Sequence, residues 1–132
     1  MAYGNTAGNT YREREILTAS PAKLVVIVYD HLLANLCRAR LAIEAKKIEA
    51  RIDAVGKARE AVVELLAGTD VERGGTLAVN LQSLYVFIFS ELNAIVHNPD
   101  AERVDKLAEI VSHLREAFAS IAATSSVQSP AA

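Results

Sequence analysis

The sequence predicts an all-α protein, an antiparallel up-and-down four-helix bundle with a mobile N-terminal arm and a mobile C-terminal tail. Three observations carry that prediction. Apolar residues recur at steps of three and four through the middle of the chain, the spacing of one helix face. Gly and Pro are sparse, at 6 and 3, while Ala, Leu, Glu, Arg and Val dominate, a vocabulary of good helix formers. Short polar or Gly- and Pro-bearing breaks divide the periodic stretch into four segments, and short connections favour antiparallel neighbours.

Met1–Thr10 is rich in Gly and Asn and lacks periodicity, so the expected units are an arm over 1–19, a bundle over 20–123 and a tail over 124–132. Ser20 is the expected cap of the first helix, with Pro21 at the first helical position, where a missing N–H costs nothing. Leu24, Val25, Val28, Leu32, Leu36, Ala39 and Ile43 then form its stripe. The stripe lapses into Lys, Glu and Arg, which places a turn within Lys46–Asp53. A second helix is expected from about Asp53 to Ala67, with Gly68 as its stop. Thr69–Thr76 reads as a polar loop, followed by a third helix from about Leu77 to His97. Asn98 is the expected cap of the fourth helix and Pro99 its first residue. Val104, Leu107, Val111, Leu114, Phe118 and Ile121 give that helix a narrow apolar seam.

With 132 residues, 52% hydrophobic and 23% charged, the chain suits one soluble domain with a proper core. Its net charge of −2 lacks the basic footprint of a nucleic-acid binder. The N-terminus has neither the basic nor the apolar region of a signal peptide. Uninterrupted apolar runs reach about six residues, against the ~20 of a membrane span. A soluble, cytoplasmic protein without membrane insertion is therefore expected.

Cys37 is the one cysteine, which excludes an internal disulfide and a cysteine-based zinc site; a packed thiol among Leu33, Leu36 and Leu41 is expected. A bundle di-iron site needs Glu-x-x-His on two helices, and the chain has no such motif. His31, His97 and His113 fall on different predicted helices and read as solvated or capping residues. Neither Ser20 nor Ser83 has a patterned His–Asp partner. No catalytic residue, metal or cofactor is expected.

Two runs exceed the needs of a one-sided helix: Leu24–Tyr29 (LVVIVY) and Leu84–Phe89 (LYVFIF) cover the whole circumference with apolar side chains. They fit helices touched on several sides, or strands, which Val, Ile, Tyr and Phe favour. They also fit helices that line a groove open to a partner helix.

The same residues resemble the FliS family of flagellar secretion chaperones. Tyr11, Ile16 and Thr18-Ala19-Ser20-Pro21 are similar to its Y-x(4)-[VI]-x-T-A-S-P signature. Leu24 with Val28-Tyr29-Asp30, Lys57-Ala58, Glu64-Leu65, Asn80-Leu81, Leu84-Tyr85 and Leu114-Arg115-Glu116-Ala117-Phe118 follow in the family's order. Each piece is weak alone, and together they span Tyr11 to Phe118. The resemblance implies a cytoplasmic four-helix chaperone, without enzymatic activity, that holds the disordered C-terminal segment of flagellin. Binding would prevent premature polymerisation and assist delivery to the flagellar export apparatus. The groove residues expected on this basis are Tyr11, Ile16, Leu24, Ile27, Val28, Tyr29, Leu81, Leu84, Tyr85 and Ile88. The competing expectation is a structural or oligomerising bundle without an export client, which would not be monomeric at low concentration.

Overall fold

The computed structural model describes residues 20–128, with side chains through Thr124. The arm expected over 1–19, including Tyr11 and Ile16, and residues 129–132 of the tail lie outside the described residues. Within them the chain forms α1 (Pro21–Glu44), α2 (Ile48–Ala67), α3 (Val71–His97) and α4 (Ala101–Gln128), with no strand among the described residues. Both apolar runs are helical.

Helix α1 starts as its sequence dictates. Ser20 Oγ accepts a hydrogen bond from the Lys23 N–H at 3.2 Å, and Pro21 occupies the first turn. It stops at Glu44, where Ala45 donates to the Leu41 carbonyl and Lys47 to that of Ala42. Between them Lys46 adopts φ 57°, the left-handed conformation that closes many helix ends. Helix α2 therefore begins at Ile48, not near Asp53. The stripe lapses there because Ile48 and Ile52 face outward, 61% and 46% exposed, while the backbone ladder continues. Gly68 ends α2 as expected, donating to the Glu64 carbonyl.

The segment expected as a loop over Thr69–Thr76 is instead largely helical. Asp70 caps α3, its Oδ1 accepting from the Arg73 N–H at 3.2 Å. One turn later Gly75 breaks the helix with φ 57° and ψ −136°, a conformation that side chains disfavour. A Cβ on Gly74 would stand 2.5 Å from that of Ala78, so the glycine pair permits the kink. At the other end, Asn98 closes α3 by donating to the Ala94 carbonyl. Asp100, not Asn98, caps α4, accepting from the Arg103 N–H at 3.2 Å, so Pro99 precedes the cap. A carboxylate at that position also meets the positive end of the helix dipole. Helix α4 continues to Gln128, beyond the apolar seam that marked it in the sequence.

One core joins the four helices, with Leu32 and Leu36, Val55 and Val62, Leu92 and Ile95, and Val104 and Val111 all at most 1% exposed. Helix α1 packs along both α2 and α4; α3 packs on α2 and approaches α4 far less closely. Ala39, Ala42, Ala54, Ala58 and Ala61 are buried and let α1 and α2 come together. Neighbours run antiparallel. Arg40 near the end of α1 pairs with Asp105 near the start of α4 at 2.7 Å. Arg103 pairs with Glu91 near the end of α3 at 3.0 Å, and Arg51 near the start of α2 donates to the Val96 carbonyl. The ion pairs are partly exposed and fix register more than stability, at about 0–1 kcal/mol each.

Three sequence expectations meet this packing differently. Cys37 is exposed, not packed, because it lies a step of one past the buried Leu36 and turns outward. His31, His97 and His113 are all exposed, as solvated residues should be. Helix α3 is, by length and composition, apolar enough to cross a bilayer, with a window of mean hydropathy 1.3 that is only 22% buried in the bundle. Uninterrupted runs missed this, because uncharged Asn80, Gln82 and Ser83 interrupt them without making the helix charged.

Candidate client groove

Where the starts of α1 and α3 meet the end of α2, the bundle is open. A cavity of about 510 Å³ lies there, walled by Leu24, Val25 and Val28 of α1 and by Leu65 and Gly68 of α2 and its stop. Leu77 and Leu81 of α3 and Phe118 of α4 complete it. The kinked first turns of α3 border it: residues Val71 to Leu77 are all exposed, and Leu77 is 64% exposed although it is a large aliphatic side chain.

Beneath the groove lies an aromatic cluster. The Tyr29 and Tyr85 hydroxyls are hydrogen-bonded to each other, one from α1 and one from α3. The Tyr29 ring also packs against Phe118, with centroids 5.6 Å apart and planes tilted by 58°. Burial pushes both phenols above the ordinary tyrosine value, and the bond to Tyr85 pushes Tyr29 further the same way. Above the cluster, Arg115 Nε of α4 meets Asp30 Oδ1 of α1 at 2.6 Å.

Folded, the tyrosines hold their protons more tightly than in the unfolded chain. Their contribution to stability is therefore full below the unfolded value and declines as pH rises above about 10. Tyr29→Phe leaves the Tyr85 hydroxyl buried and unpaired and should cost about 1–3 kcal/mol. The double change Tyr29→Phe/Tyr85→Phe should cost less than the sum of the two and should flatten the alkaline decline. Urea unfolding between pH 8 and 11 checks both outcomes; a purely additive double variant with an unchanged pH profile would contradict the pairing.

The expected groove residues divide. Leu24, Val28, Leu81 and Tyr85 line the cavity, although Tyr85 is only 2% exposed and serves as its floor. Tyr29 lies under that floor, fully buried. Ile88 is fully buried in the core and lines no groove. Ile27 is half-buried and borders neither cavity. Leu84 faces a second opening of about 490 Å³ with Ile110 and Leu114, in the seam where α3 stands off from α4. Tyr11 and Ile16 lie outside the described residues.

Sequence reasoning missed Val25, Leu77, Phe118 and the turn from Gly68 to Gly74. The signal was present for Phe118. Tyr29-Asp30, Leu84-Tyr85, Arg115 and Phe118 belong to separate short motifs in the sequence, and the fold gathers Tyr29, Tyr85 and Phe118 into one cluster beside the Asp30–Arg115 pair.

The family model for Flagellar protein FliS matches residues 3–125, which take in nearly all of the described bundle and the sequence that precedes it. The chain belongs to the FliS family. It is 32% identical over 117 residues to the flagellar secretion chaperone FliS of Salmonella typhimurium, covering 88% of this chain and 87% of that one. It is 29% identical over 114 residues to the flagellar secretion chaperone FliS of Campylobacter jejuni, covering 86% and 89%. The Vibrio cholerae flagellar secretion chaperone FliS is 26% identical over 106 residues, covering 80% and 78%. FliS proteins are chaperones of flagellar secretion and not enzymes. A groove walled by aliphatic side chains and floored by Tyr85 suits that class, since the Tyr85 hydroxyl is already paired with that of Tyr29 beneath it.

Proposed function

We propose that this chain is a cytoplasmic flagellar export chaperone whose groove holds the C-terminal segment of flagellin. Holding it prevents premature polymerisation and delivers the client toward the export apparatus. The observation that carries this reading is the open aliphatic groove in a chain of the FliS family. A disordered segment must lose entropy to be held, and a concave apolar wall supplies the burial that offsets it. The uncovered apolar side of α3 suits the same use: Val79, Val86 and Phe87 are 44%, 54% and 47% exposed.

The arm belongs to this reading. Ser20 stands one turn before Leu24 on the groove wall, and we infer that Tyr11 and Ile16, upstream of it in the sequence, compete with a client for the same apolar surface. Competition lowers apparent affinity by the fraction of molecules left open. A peptide covering the C-terminal segment of flagellin, titrated into the full chain and into a chain lacking residues 1–15, tests both parts. One-to-one binding is expected, tighter for the shortened chain. Absence of binding to either would refute the client assignment; weaker binding by the shortened chain would make the arm a contact for the client.

A further inference from the structure

The groove carries a charge pattern that its apolar walls do not require. Three charged residues line it: Glu64, Asp70 and Arg73. Asp70 and Arg73 pair with each other at 3.7 Å on the first turn of α3. Glu64 has no cation within ion-pair distance among the described residues. It also stands in the last turn of α2, which contains no basic residue. A carboxylate there sits beside the negative end of the helix dipole, an arrangement that disfavours the helix. Fold stability thus gains nothing from this charge, and its side chain borders the space where a ligand would lie.

We propose that Glu64 gives the groove a preference of sign. The segment it selects is an amphipathic helix whose aliphatic face fills the space between Leu24, Val28, Leu77 and Leu81, with a lysine or arginine beside that face. The cation meets Glu64 and the carbonyl end of α2, where the Asp70–Arg73 pair presents no net charge against it. This deepens the client reading above and rests on it.

The test uses synthetic 18-residue amphipathic peptides with one leucine face, identical except that the flanks of that face carry lysine, glutamine or glutamate. Each is titrated into the full chain, Glu64→Gln and Glu64→Lys, at low and at high salt, with the fold of each variant verified by circular dichroism. The full chain should bind the lysine peptide about two- to fivefold more tightly than the glutamate peptide, the range of an exposed ion pair. Glu64→Gln should remove the difference, Glu64→Lys should invert it, and high salt should compress it. An unchanged ranking in Glu64→Lys would overturn the proposal while leaving the groove intact as a client site. Failure of every peptide and of the flagellin segment to bind would overturn the proposal together with the groove reading.

Discussion

Leu77→Asp should leave the bundle as stable as the parent and weaken binding of the flagellin C-terminal peptide by a hundredfold or more. In the free chain Leu77 is 64% exposed, so replacing it removes little burial from the fold. In the complex it becomes part of a covered wall. Losing that contact forfeits about 1.5–3 kcal/mol of apolar burial, and a carboxylate trapped there without a partner costs more. Each 1.4 kcal/mol is tenfold in affinity. Val63→Asp is the matched control, because Val63 is 50% exposed on α2 and does not line the main groove. Paired melting and titration of the two variants should show unchanged stability in both and lost binding in one. Equal binding by both would place the client elsewhere.

Ile88→Ala should give the opposite pattern. Ile88 is fully buried in the core cluster, so truncation leaves a cavity and should cost about 2–5 kcal/mol. That is a large share of the ~5–15 kcal/mol that stabilises a typical domain. The folded fraction should still bind the peptide with nearly the parent affinity, since the groove walls are untouched. Urea unfolding measures the first quantity, and titration at low temperature measures the second. A stable Ile88→Ala variant with weakened binding would restore Ile88 to the groove, where its sequence run alone would place it.

These two residues show how far the sequence carries. Helix period separates a buried from an exposed face only when one face is apolar, and the run Leu84–Phe89 of α3 is apolar all round. Ile88 and Val86 are alike in sequence, yet one is fully buried and the other 54% exposed, because α3 packs on α2 and stands off from α4. Within the run that asymmetry leaves no mark; only the steps of three and four from Tyr85 through Ile88 and Leu92 to Ile95 single out the buried face. Ser20 was legible because capping is local chemistry, completed within three residues. Asp70 and Asp100 are caps of the same kind, missed because the nearby Gly-Gly and Asn-Pro pairs read as stronger breaks. Cys37 shows the converse error: Leu41, four residues on and on the same helix face, is itself 56% exposed, so leucine neighbours at helical spacing marked an outward face. The groove needed both levels. Its α1 wall follows from a six-residue apolar run, whereas Leu77 and the kinked turn before it depend on the backbone at Gly75.

The client is predicted to lie at the end of the bundle bounded by α1, α3 and the kinked turn. Amide hydrogen exchange of the full chain, alone and saturated with the flagellin C-terminal peptide, tests it most directly. Slowed exchange is predicted in Val71–Leu81 and in the first turns of α1 near Leu24–Val28, with no change around Ile48–Ile52 on the far side of α2. Protection confined to Ile48–Ile52, or saturation without protection at Val71–Leu81, would place the client elsewhere on the chain.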